Sequence, residues 1–312
     1  MSRHRAGDSA RAPWQEGTRE SLAAVGLDPG WVREFVLRSL SEDLGPGWVD
    51  VTTAATVPVD DDRRAEVYAR EDGVVCGLLL LPVVLAEAAA RLGQPVPTAD
   101  LRALDGTRVR AGDVLADLRG PTRVLLTAER TVINIIRHLS GVATMASMWV
   151  EVLEGTGAGL LDTRATTPGL RPLERYAVRC GGGSNGRAGL YDAAHVTVEH
   201  TLAAGSVEAA LDAVRRRLPD ALVQIDVRTP LEAVEAVLAG ARFVVCERMH
   251  PDVLAGAVRQ IRAATPETVE VAASGVVDLN TAKDYAQSGV DHLYVESLTQ
   301  YATALDVGLV VA

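Results

Sequence analysis

The sequence predicts an α/β protein: a small α+β domain followed by a larger α/β barrel. Two textures and one polar pattern point there. From Arg64 to about Leu118, short apolar or alternating runs are separated by turn signals at Asp105-Gly106 and Ala111-Gly112-Asp113. After Pro121, short apolar strands alternate with amphipathic helices, the spacing of repeated β-α units and a parallel sheet. A polar or charged residue closes each of these later strands, as on the rim of a barrel.

The elements follow in order. Apolar residues at helical spacing (Val32, Phe35, Val36, Leu40) predict a helix over Trp31–Leu40. The first domain's extended runs are Ala65–Ala69, Gly73–Gly77, Arg108–Val109 and Val114–Leu118, interrupted by an Ala- and Leu-rich helix, Leu81–Leu92. A long helix, about Thr127–Leu153, leads into strands at Gly159–Asp162, Ala194–Val198, Leu222–Asp226, Phe243–Cys246, Val269–Ala273 and His292–Val295. Helices between them are expected at Val207–Leu218, Leu231–Leu238, Val253–Ala264 and Thr281–Ser288. About six units on one stretch, with no GxGxxG after the first strand, favour a barrel over a doubly wound sheet.

Composition sets limits. At 312 residues, 48% of them hydrophobic, the chain can bury a sizeable core. A net charge of −10 argues against a nucleic-acid or anionic-membrane binder, though not against a small basic pocket for an anionic metabolite. Cys76, Cys180 and Cys246 are too scattered for a zinc site or disulfide framework, so a reducing cytoplasm is expected. No apolar run approaches the roughly 20 residues that span a bilayer. Residues 1–17 read as a disordered tail.

Several motifs carry a resemblance. Asp162-Thr163-Arg164-Ala165-Thr166-Thr167-Pro168-Gly169-Leu170 resembles the DTRKTTPGL segment of quinolinate phosphoribosyltransferases, and Tyr176 to Arg187 resembles their YAVRCGGGxNHR. Glu42-Asp43-Leu44-Gly45 with Asp50-Val51-Thr52-Thr53, the Glu129-Arg130-Thr131 helix through Leu139-Ser140-Gly141, and Ser274-Gly275 with Leu298-Thr299 are similar in the same register. The likeness covers about residues 25–312, apart from one insertion near Pro230.

What the resemblance implies is an N-terminal α/β sandwich (18–125), an incomplete α/β barrel (126–290) as in type II phosphoribosyltransferases, and the last barrel strand with a C-terminal segment returning to the first domain (291–312). It implies a homodimer in which Arg130 enters the partner's pocket. The family's reaction joins quinolinate to phosphoribosyl pyrophosphate with Mg2+, releasing CO2 and pyrophosphate and giving nicotinate mononucleotide. By the same resemblance Arg130, Arg164, Arg187, His200, Ser274 and Gly275 would bind substrate, while Asp226 and Glu247 would be catalytic and hold the metal. Asp226 stands where the family has Glu, and Glu247 where it has Asp. Arginine suits two anionic substrates through its bidentate grip on carboxylate and phosphate.

The departures lie on the rim. Ala165 replaces a lysine, Gly186 a histidine, Thr197 a second lysine, Val198 an aspartate and Glu199 an asparagine. Val276 and Glu296 occupy glycine positions of the family's phosphate-cradling turns, and Arg248 replaces an asparagine. Two lysines lost and two glutamates gained make the expected pocket less basic, and the small Ala165 and Gly186 are expected to enlarge it. His138 and His195 are assigned to packing, with His195 a weak candidate for a pocket contact. Three readings stay open: phosphoribosyl transfer to a changed acceptor, the unmodified quinolinate reaction, and a non-catalytic scaffold.

Overall fold

Helix starts in the first part of the chain are fixed by side-chain caps. The carboxylate of Asp28 accepts the Trp31 backbone N–H at 2.7 Å and opens a helix whose first residue is Pro29. Asp50 does the same for Thr53 at 3.0 Å. The computed structural model describes residue 14, residues 16–275 and residues 277–312. Residues 1–13 and 15 of the expected tail, and the site position Val276, lie outside the described residues.

In chain order the elements begin α1 (Glu16–Ala24), α2 (Pro29–Leu44), α3 (Val51–Thr56), β1 (Asp62–Ala69), β2 (Gly73–Val74), α4 (Leu81–Leu92), β3 (Thr98–Leu101), β4 (Arg108–Val109), β5 (Val114–Pro121) and α5 (Thr122–Leu153). There follow β6 (Gly159–Leu161), α6 (Arg171–Cys180), β7 (Ala194–Val196), α7 (Val198–Ala204), α8 (Val207–Arg217), β8 (Val223–Val227), α9 (Pro230–Leu238) and β9 (Phe243–Glu247). The last are α10 (Pro251–Ala264), β10 (Glu270–Ser274), α11 (Ala282–Gln287), β11 (His292–Tyr294), α12 (Ser297–Gln300) and β12 (Val307–Val311).

The chain divides into two compact units, one running to Ser140 and taking back Ala304–Ala312, the other Gly141–Thr303. The division falls inside α5, past the 125/126 boundary expected from sequence, and at 303/304, within the expected C-terminal segment. A helix that runs unbroken through a boundary leaves no turn residues there to mark it. The first unit holds an antiparallel sheet of order β12-β1-β5-β3, in which the C-terminal strand pairs with β1 from Ala65↔Val311 to Ala69↔Val307. The expectation of a disordered tail fails at Trp14 and at the start of α1: Trp14 is buried and its indole N–H donates to Glu87 at 3.0 Å, a carboxylate that Arg33 also holds at 2.8 Å. One buried anion thereby ties down a large apolar ring that the polar composition around it conceals.

The second unit is a six-stranded parallel sheet of order β6-β11-β10-β9-β8-β7. Among the described residues β7 and β6 share no ladder, so the barrel is incomplete. Its strands are apolar runs because helices cover them: Val244, Val245 and Cys246 in β9, and Val271, Ala272 and Ala273 in β10, are all buried. All six strands sit within two residues of their expected positions, except that β7 stops at Val196 and α7 begins at Val198. No described helix is long and apolar enough to cross a membrane.

Candidate active site

In a parallel barrel the strand ends share one rim, and the second unit's rim holds a pocket of about 440 Å3. One of its walls is cationic. Asp162, 1% exposed after β6, accepts the Gly186 backbone N–H and the Asn185 amide, each at 2.7 Å, and faces Arg175 at 3.4 Å. Burial pushes the Asp162 carboxyl up to about 6, against the opposing pull of Arg175 and these donors. The buried carboxylate thereby fixes the chain on either side of Gly186 and so places Arg187, whose carbonyl Arg175 also holds at 3.2 Å.

The neighbouring loop is held just as firmly. Arg171 donates to the Arg164 carbonyl at 3.2 Å, and the Thr299 hydroxyl donates to the Ala165 carbonyl at 2.5 Å. Arg164, so positioned, lines the pocket with its Nε buried and without a hydrogen-bond partner among the described residues. Burial and the like charge of Arg164 both hold the Arg187 guanidinium below its usual range. Two guanidiniums that repel each other, one with an unmet buried donor, make an anion site.

The opposite wall is closed on itself. Asp226, in β8, meets His195 Nε2 at 2.6 Å. Glu247, at the end of β9, is bound by Arg228 at 2.8 Å and faces Arg248 at 3.6 Å. That hydrogen bond holds the Arg228 guanidinium above its usual range. Arg248 stands at φ 56°, its N–H donating to the Ser274 carbonyl at 2.9 Å. Gly275, at φ 106°, lies beneath it; a Cβ there would come within 2.6 Å of Arg248 Cγ, so the turn needs glycine.

Tyr294 separates the walls. Its buried ring lies against Gly186, where a Cβ would be 2.7 Å from Tyr294 Cε1, and its hydroxyl bonds the Gln224 amide at 3.0 Å. The room expected from a small residue at 186 is therefore filled by this ring. Cys246, which burial pushes up to about 12, is no candidate nucleophile.

Of the positions singled out by sequence, Arg164, Arg187, Asp226, Glu247, Ser274, Gly275, Ala165 and Glu296 line one pocket, and Gly186 backs it. Thr197, Glu199 and His200 do not line it. His200 Nδ1 accepts the Thr197 N–H at 3.1 Å in a capping box that starts α7, so the expected substrate contact is a helix cap instead. Arg130 is exposed on α5 in the first unit. The pocket lining carries three arginines (Arg164, Arg187, Arg248) against four carboxylates (Asp162, Asp226, Glu247, Glu296). The loss of basic character comes from Glu296 without Glu199. Tyr294 and Gln224 escape sequence analysis because they fall within apolar strands; the glutamine in such a run is the signal that was there to find.

The expected magnesium ligands do not fit a resident divalent ion, because Asp226 and Glu247 are each already engaged by a cationic or hydrogen-bonding side chain.

The quinolinate phosphoribosyl transferase C-terminal domain family matches residues 142–310, and its N-terminal domain family matches residues 50–140. The nicotinate-nucleotide pyrophosphorylase [carboxylating] of Mycobacterium leprae is 40% identical over 277 residues, covering 89% of this chain and 96% of that protein. The probable nicotinate-nucleotide pyrophosphorylase [carboxylating] of Bacillus subtilis is 33% identical, covering 86% and 89%. Among solved structures, NadC from Streptococcus pyogenes superposes with a TM-score of 0.84 at 31% identity, over 92% of this chain and 99% of that one. With both domains matched in order along one chain, and a relative this similar over nearly its whole length, the protein belongs to the quinolinate phosphoribosyl transferase family.

Proposed function

We propose that the protein transfers the phosphoribosyl group of phosphoribosyl pyrophosphate to a nitrogen heterocycle that bears a carboxylate and is less anionic than quinolinate. The observation that carries this is the open pocket in which Arg164 keeps an unmet buried donor beside Arg187, while four carboxylates outnumber three arginines. The acceptor's carboxylate bridges Arg164 and Arg187 by bidentate hydrogen bonds. Its ring nitrogen attacks the anomeric carbon as the bond to pyrophosphate breaks, the leaving oxygen keeping the electron pair. Asp226 and Glu247 face the positive charge that develops on the sugar. A second anionic group on the acceptor would meet the Glu296 carboxylate, and like charges at about 4 Å repel by about 4 kcal/mol at an effective dielectric of 20. The homodimer, with Arg130 supplied to a partner's pocket, belongs to the same proposal.

The 40% identity to the Mycobacterium leprae protein favours a second reading, the unmodified reaction on quinolinate. The cavity of about 440 Å3 supports a catalyst over a scaffold with a filled site. The test incubates the protein with phosphoribosyl pyrophosphate, magnesium and either quinolinate or monocarboxylate heterocycles, following pyrophosphate release and nucleotide mass. Faster turnover of a monocarboxylate supports the proposal. Preferential conversion of quinolinate to nicotinate mononucleotide overturns it in favour of the second reading.

A further inference from the structure

Glu247 is met by the Nε of two arginines, Arg228 at 2.8 Å and Arg248 at 3.6 Å. Among the described residues no hydrogen bond is made by the Nη groups of either arginine, and their side chains are 49% and 69% exposed. Each retains a planar N–H fork of the kind that grips phosphate oxygens in pairs. Arg248 also stands in the left-handed region, a conformation that is unfavourable for a non-glycine residue and persists only where its surroundings impose it. Those surroundings are the Ser274 carbonyl and the bare backbone of Gly275. A strained residue held by its neighbours and delivering a guanidinium to the pocket rim has the mark of a functional position. A divalent ion placed on Glu247 would lie close to both guanidiniums, with repulsion of several kcal/mol from each at an effective dielectric of about 20.

We infer that Arg228 and Arg248 form a metal-free diphosphate site, holding the donor's diphosphate directly in place of a divalent ion bound by Asp226 and Glu247. The inference rests on the proposed phosphoribosyl transfer, since it concerns the donor of that reaction. The diphosphate accepts hydrogen bonds from the Nη groups, and Glu247 keeps the two like-charged arginines together when the site is empty.

Calorimetry on the full chain tests this, with inorganic pyrophosphate and phosphoribosyl pyrophosphate titrated first in EDTA and then in excess magnesium. Both ligands are expected to bind in EDTA, with magnesium changing the dissociation constant by no more than about threefold. Arg228→Gln and Arg248→Asn should each weaken metal-free binding about tenfold, asparagine being chosen because it tolerates positive φ. Glu247→Gln, which removes a negative charge beside both forks without touching either arginine, should tighten it by about threefold and guards against misfolding of the arginine variants. Binding that appears only with magnesium overturns the metal-free site and leaves phosphoribosyl transfer standing. Metal-free affinity unchanged in both arginine variants overturns it equally. Failure of phosphoribosyl pyrophosphate to bind under either condition overturns this site and the proposed reaction together.

Discussion

The two walls of the pocket handle charge in opposite ways. On the Arg164–Arg187 wall the acid, Asp162, is buried behind the arginines and bonded mainly to the loop that carries Arg187, which leaves a guanidinium donor of Arg164 unmet. On the Asp226–Glu247 wall every carboxylate already has a partner in His195, Arg228 or Arg248. The first wall is incomplete without a ligand, and on the second the carboxylates are satisfied without one. A chain that matches a family along its whole length can therefore carry one wall with an open cation and one whose carboxylates are already paired.

The largest effect expected from breaking this contrast is at Arg164. Arg164→Ala should lower kcat/KM for any accepted heterocycle about a thousandfold, the scale of losing a charged donor aimed at the reacting ligand. A loss under tenfold in steady-state kinetics would mean that the open wall does not hold the acceptor.

Next comes Asp162. Its folded-state pKa of about 6 lies above the ordinary aspartate value of 3.8, so the folded protein holds this proton more tightly than the unfolded chain. The stabilisation is complete below the unfolded value and is lost as pH rises through the folded one. The shift corresponds to about 3 kcal/mol, lost between about pH 4 and pH 6.5. Urea unfolding of the protein and of Asp162→Asn over this range should show a difference that changes with pH in that direction; a flat difference refutes it. Asp162→Asn should also be less stable in absolute terms, because its amide nitrogen presents a donor to groups that are themselves donors.

A smaller effect is expected between the walls. Tyr294→Phe removes the bond to Gln224 and should cost about 1 kcal/mol in chemical denaturation while leaving the ring against Gly186. The smallest lies on the closed wall. His195→Ala releases Asp226 and should make pyrophosphate binding about twofold more responsive to magnesium in calorimetry, with the unfolding midpoint nearly unchanged. A large gain there would show that His195 alone keeps a metal out.

Much of this was legible in the sequence for reasons of period and capping. Leu81–Leu92 and the six parallel strands emerged where expected because apolar runs bounded by Gly, Pro and Asp have few other conformations open to them. The β3 strand, Thr98–Leu101, was missed because it is a short edge strand with no fully buried residue. The α6 helix carries little periodic signal because its three Arg and one Glu are interspersed among four buried apolar residues. At the site, the residues expected at the ends of β8, β9 and β10 lie together around one pocket. His200 lies apart from it because one residue of strand length decides whether that side chain faces the pocket or caps a helix, and β7 ends early at Val196.

By itself, then, the sequence determined which residue types reach the barrel rim, since strand period and turn chemistry are local. Only the tertiary structure decided which charges stay open and which are closed. That depends on residues far apart in the chain meeting at 2.6 to 2.8 Å, as His195 meets Asp226 and Arg228 meets Glu247, and no local pattern encodes such distances.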